Sequence, residues 1–94
     1  MKVISLNPYG PIISNETQGA GIHRLLCEEL SKNDIIEVQF NGIVAMVTLC
    51  AKQIFGQLYK DLGAAEFKRR IKLTNANEDI KAVIIEGITN AISN

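Results

Sequence analysis

The sequence predicts a small α/β domain in which helices cover a mixed sheet, with elements in the order β(β)αβαβα. Three observations carry that reading. The run Ile35–Phe40 alternates apolar and polar residues, then passes through Asn41-Gly42 into a helical spacing that continues to Leu62. A second alternating run, Arg70–Thr74, stops at Asn75. Asn77-Glu78-Asp79 then supplies the cap and acidic first turn of a closing helix.

Taken in order, Lys2–Leu6 reads as a first strand, burying Val3 and either Ile4 or Leu6. Asn7, Pro8 and Gly10 end it, because Pro lacks an amide donor and Gly accepts turn dihedrals. Ile12 and Ile13 form a brief second strand, with Ser14–Gln18 as the loop after it. Between Gly21 and Ser31 the residues Ile22, Leu25, Leu26 and Leu30 share one side of a helix. Gly19 and Gly21 leave its start open between helix and loop. In the next strand Ile36, Val38 and Phe40 face one way, and Glu37 and Gln39 the other, as in a sheet covered on one face. From Val47 the period changes: Val47, Ala51, Ile54, Leu58 and Leu62 make an apolar stripe widened by Cys50 and Phe55. Gly63 suits the left-handed residue that ends a helix. Ile71 and Leu73 alternate with Arg70, Lys72 and Thr74 in a further short strand. The last helix buries Ile80, Val83, Ile84, Ile88 and either Ala91 or Ile92. Parallel strands joined by right-handed helical crossovers lay these helices on the sheet.

Composition narrows the function classes. The chain is read as one domain over residues 1–94, and its 47% hydrophobic content supplies a core without metal or disulfide. Ten basic residues balance ten acidic ones, so no global field draws the chain to nucleic acid or an anionic membrane. The longest apolar run, Ile43–Cys50, is far too short to span a bilayer. Asn7, Pro8 and Gly10 interrupt the N-terminus before a signal-peptide core can form. Cys27 and Cys50 sit among apolar helix positions, the reduced and buried pattern of a cytoplasmic protein. The Asn15-Glu16-Thr17 sequon carries no meaning without secretion.

The order of elements, the run Ile36-Glu37-Val38-Gln39-Phe40-Asn41-Gly42-Ile43 and its continuation to Ile54-Phe55-Gly56 resemble the STAS-like domains of unknown function. So do Phe67, Ile71, Asn75 and the Ile-rich closing helix. These domains are related to the STAS domains of bacterial anti-sigma-factor antagonists and of sulfate transporters. The resemblance runs from Asp34 to the C-terminus, and more loosely over the first helix. It implies a small STAS-like sandwich. In the antagonists a Ser at the start of the helix after the central strand accepts phosphate from a partner kinase. Counted by element, Leu49 stands at that position with Thr48 beside it, Val47 replaces the usual preceding Asp, and Gln39 replaces an acidic residue near the strand end. These departures argue against a phosphoswitch.

Thr48 is nonetheless a candidate phosphoacceptor, since a helix start favours an anion; its simpler role is to cap the helix. Leu49 lies with Lys52, Gln53 and Gly56, away from the buried stripe, and marks a small contact patch. His23 and Cys27 are four apart on a helix but lack the further ligands a metal site needs. Ser14, Ser31 and Ser93 belong to no motif that would build a nucleophilic triad. Gly19-Ala20-Gly21 lacks the third glycine of a dinucleotide fingerprint, with Arg24 in that place. The basic run Lys68-Arg69-Arg70-Lys72 has no stacking aromatics around it, and Arg70 and Lys72 share a strand face where solvation or acidic partners suffice.

The functional expectation is a non-enzymatic, cytoplasmic bacterial protein-interaction module without cofactor or metal. Its docking face comprises Asn41, Gly42, Ile43, Thr48, Leu49, Lys52, Gln53 and Gly56. The resemblance implies a protein partner, an ATP-binding kinase-like or anti-sigma-like regulator, and a homodimer is compatible with the same face. The alternative is a nucleotide or other anion held near Thr48 by backbone amides. Nucleic-acid binding through residues 68–72 ranks third.

Overall fold

Strand β3 (Ile36–Gln39) lies between β1 (Lys2–Ser5) and β5 (Ile71–Thr74), and both pairings are parallel. These come from a computed structural model of the chain, which describes residues 1–93. A second pair, β2 (Ile12–Ile13) with β4 (Ala45–Met46), is also parallel. The expectation of a mixed sheet is therefore corrected. Among the described residues no β-hairpin joins paired strands: each connection within a sheet runs through a helix, which returns the chain in the same direction.

Period-two alternation sets the faces. Ile36, Val38 and Phe40 are buried, as expected, while Glu37 and Gln39 stay partly exposed on the other side. Register aligns Ile4 with Val38 and Val3 with Glu37. Ile4 and Leu6 accordingly enter the core, and Val3, expected inside, is exposed.

Helix α1 (Glu16–Lys32) begins five residues before Gly21, inside the 14–18 stretch that the sequence predicts as loop. The cause is a capping box: the Asn15 side chain accepts from the Gln18 amide, and the Gln18 side chain accepts from the Asn15 amide. Gln18 Nε2 also donates to the carbonyls of Tyr9 and Ile12, so one side chain ties the helix start to β2. Ile22, Leu26 and Leu30 point inward. Cys27, expected in the core, is exposed, whereas Cys50 is buried.

The long helix expected to end near Leu62 is present in three continuous pieces: α2 (Thr48–Ala51), a π-helical turn (Lys52–Gly56) and α3 (Gln57–Leu62). Gly63, with φ of 83°, ends it. A helix that the periodicity did not reveal, α4 (Ala64–Arg70), follows at once. It is rich in helix formers but buries only Phe67, so it writes no stripe into the sequence. Arg70 is its last residue rather than the first of β5. Helix α5 (Glu78–Ile92) starts on Asn77, whose side chain accepts from the Ile80 amide. It buries Ile80, Ile84, Gly87 and Ala91, with Val83 and Ile88 half-buried and Ile92 exposed.

The core is aliphatic around one tilted aromatic pair, Phe40 and Phe55, with ring centroids 6.0 Å apart. Helices α1 and α5 flank the segment made by α2 and the π turn.

Candidate functional site

The chain leaves β3 through a turn closed by the Ile43 amide donating to the Phe40 carbonyl at 3.0 Å. Gly42 has φ of 80°, a left-handed conformation that a side chain resists. The turn is held from outside by Asn7, whose Nδ2 donates to the Asn41 carbonyl at 3.2 Å. Asn41 and Gly42 are exposed, as a docking face requires. Ile43 is not: it is a core residue whose Cδ1 lies over Gly10.

Beyond the turn, β4 pairs with β2, with Val44 donating to the Pro11 carbonyl and Val47 to that of Ile13. Ile13 and Met46 face inward. Ile12, its partner Ala45, and Val47 are exposed, and Leu49 follows in the first helical turn at 62% exposure. This apolar row is the feature that sequence reasoning missed in part. Two-residue strands give too short an alternation to detect, and helical spacing counts Val47 into the buried stripe. Val47 instead occupies the N-cap of α2 with no side-chain capping bond. Thr48 is thus the first helical residue, half-buried, and not the cap that its type suggested.

The helical remainder of the expected face divides. Lys52 and Gln53 are half-buried and Gly56 is buried. A Cβ on Gly56 would meet Ala91 Cβ at 2.7 Å and the Gly87 carbonyl at 2.9 Å, so that position serves helix packing against α5. On the other flank Gln53 Nε2 donates to the Glu16 carbonyl at 3.2 Å, and Gln53 Oε1 is buried with no hydrogen-bond partner among the described residues. Gly19 is where α1 passes this amide; a Cβ there would meet the end of the Gln53 side chain, which would have to swing aside. Glu16, Thr17, Ala20, Gly21, Arg24 and Gln53 line an open depression of about 470 Å³. This depression lies beside α1, and Thr48 is not among the residues lining it. Cys50 lies beneath, its Sγ donating to the Asn15 carbonyl at 3.4 Å. Burial, then the Glu16 charge, pushes that thiol's pKa up.

The basic run is largely consumed internally. Arg69 grips Asp34 through both terminal nitrogens, at 2.8 and 3.1 Å, and also pairs with Glu66 at 2.8 Å. The Arg69 hydrogen bonds hold the Asp34 carboxyl below its usual range. Arg70 donates to the carbonyls of Leu30, Asn33 and Asp34, closing the end of α1. Lys72 Nζ reaches the Lys68 carbonyl at 3.2 Å. Arg70 and Lys72 do not share a strand face, because Arg70 ends α4. His23 Nε2 is 3.6 Å from Cys27 Sγ, and no group of three potential ligands forms among the described residues. Nor is any helix among them long and apolar enough to cross a membrane.

The family model described as a STAS-like domain of unknown function (DUF4325) matches residues 18–81, from the first turns of α1 into α5. The chain belongs to that STAS-like family. No curated protein and no solved structure matches it. In this STAS-like domain Gln39, at the strand position where the resemblance expects an acid, donates to Glu37 Oε2 at 3.1 Å. Thr74 Oγ1 donates to the same oxygen at 3.0 Å, so a carboxylate does stand on this face, one alternation earlier in β3. The helix start of the STAS-like domain presents Leu49 to solvent and keeps Thr48 half-covered.

Proposed function

We propose that this STAS-like domain is a non-enzymatic protein-interaction module that docks a partner on the surface running from Asn41 and Gly42, across the β2–β4 pair, to Leu49. The observation that carries the reading is the exposed apolar row Ile12, Ala45, Val47 and Leu49 beside a turn anchored by Asn7. Apolar side chains adjoining one another on a surface favour removal from water by a partner, unlike scattered single ones. The turn and the short strand pair present them on a fixed backbone, which lowers the ordering cost of association. Lys52 and Gln53, half-buried, follow Leu49 along the helix, while Ile43 and Gly56 are buried and offer no surface of their own. The partner we propose, from the resemblance to anti-sigma-factor antagonists, is an ATP-binding kinase-like or anti-sigma-like regulator, acting without obligatory phosphorylation of Thr48.

Capture with the wild-type chain, Leu49→Asp and Thr48→Ala, read by mass spectrometry and repeated with purified partner, tests this. Wild type and Thr48→Ala retain the partner; Leu49→Asp loses it while its melting temperature stays within about 2 °C, as an exposed substitution should. A Leu49→Asp protein that binds normally removes the surface from the proposal. Substantial Thr48 phosphorylation in native protein, with binding switched by its removal, restores the antagonist-type mechanism. A rise in melting temperature with a nucleotide or inorganic phosphate, abolished by Arg24→Ala or Gln53→Ala, favours small-ligand binding in the α1 depression instead.

A further inference from the structure

Helix α5 carries two apolar faces. Ile80, Ile84, Gly87 and Ala91 are buried, with Gly87 and Ala91 against the α2 and π-turn segment. Ala82, Ile85, Thr89 and Ile92, spaced three, four and three apart, are all exposed, Ile85 to 65% and Ile92 to 54%. At about 100° per residue the two sets fall on nearly opposite sides of the helix. A body resting on the exposed set therefore stands clear of the domain's own core. The three-four spacing is that of the inward positions of paired helices.

The flanking charges say what covers this face. Lys81 stands just before the first residue of the seam and Glu86 just after Ile85, five residues apart. When two identical helices pair side by side in the same direction, residues at these two places face each other across the seam. Lys81 of each copy then meets Glu86 of the other, giving two reciprocal ion pairs about a twofold axis. An antiparallel pair centred on the same seam sets Glu86 against Glu86 instead. In the single chain Lys81 leans toward exposed Glu78 at 3.4 Å, and Glu86 makes no ion pair among the described residues. We propose that α5 is a self-association face, and that two copies of this chain form a parallel homodimer through Ala82, Ile85, Thr89 and Ile92. From Ala82 to Ile92 the seam is about 15 Å long, the scale of a reversible contact rather than an obligate one.

Sedimentation of the chain from about 20 to about 500 µM tests the proposal, since mass action makes a reversible dimer concentration-dependent. The average mass rises toward that of two chains for wild type and stays at one chain for Ile85→Asp, which keeps its melting temperature because Ile85 is outside the core. Lys81→Glu weakens the dimer, and adding Glu86→Lys restores it. In a Cys27→Ser background, Ile85→Cys gives an interchain disulfide under mild oxidation, as residues in register require. Leu49→Asp, on the other surface, dimerises normally. A chain that stays monomeric at the top concentration, a dimer unaffected by Ile85→Asp, a dimer lost in Leu49→Asp or a failed crosslink would each overturn the proposal.

Discussion

Cys27 and Cys50 occupy contrasting surroundings on neighbouring helices, and their reactivity reports the packing between them. Cys27 is exposed beside His23, yet desolvation of its thiol and, second, the Asp61 charge raise its pKa. Cys50 is buried and donates to the Asn15 carbonyl. The thiolate is the attacking species, so a raised pKa leaves less of it at a given pH and slows both residues. Access then separates them. Near neutral pH a chromogenic disulfide reagent should modify Cys27 in a first phase slower than that of an unhindered thiol. Cys50 should follow only as the domain opens, accelerating with urea. Equal rates, resolved by peptide mapping, would mean that α2 does not shield Cys50. Residue type in the sequence did not disclose this contrast: both thiols sit among apolar neighbours, and only the helix's actual phase turns Cys27 outward. The same holds for Val47, an apolar residue displaced from the buried stripe because it caps the helix rather than continuing it.

Among the elements, α5 and the segment across from it approach through glycine. A Cβ on Gly87 would lie 2.6 Å from the Lys52 amide nitrogen and 2.8 Å from Ala51 Cβ, contacts that backbone cannot yield without moving a helix. In an exposed helix, replacing Gly by Ala stabilises by about 1 kcal/mol. Overpacking of a close contact costs about 1–3 kcal/mol, and here it outweighs the propensity gain. Gly87→Ala should therefore lower stability in urea melts despite the better helix former; an unchanged or raised midpoint would show that α5 is not seated at this depth. Gly87 gave no sequence signal of its own, since an isolated glycine in a helical run reads only as a weakness. The stripes of α1, α5 and the long middle helix were legible because they repeat over several turns, and Asn77 announced the start of α5; the Asn15 cap lay in a stretch that reads as loop. Helix α4 and strand β4 were not, since seven residues with one buried Phe and two residues in a strand leave no period to read.

At the scale of the molecule, burial of the alternating β3 row organises the fold. Ile36, Val38 and Phe40 lie under the helices, and Ile4 and Ile71 extend the row onto the strands at either side. That central position was legible from alternation between two helical patterns. Sheet direction was less so, because the brief strands β2 and β4 give no clue to their mutual orientation until α1 and β3 are seen to lie between them. Comparing the same chemical change at two depths tests the architecture directly. Val38→Asp introduces a carboxylate with no exposure and no cationic partner nearby in the core, a change costing about 3–5 kcal/mol or driving protonation of the acid. A domain of this size is stable by only about 5–15 kcal/mol, so much of its folding margin goes with that one substitution. Leu49→Asp also places an acid on an apolar position, but in water, and should melt like wild type. Far-UV dichroism across a thermal ramp should accordingly show a weakened or absent cooperative transition for Val38→Asp, beside a normal one for Leu49→Asp. A soluble Val38→Asp protein with a wild-type melt would remove β3 from the centre of the sheet. Loss of the melt in Leu49→Asp would make that residue part of the core and deprive the proposed docking surface of its anchor.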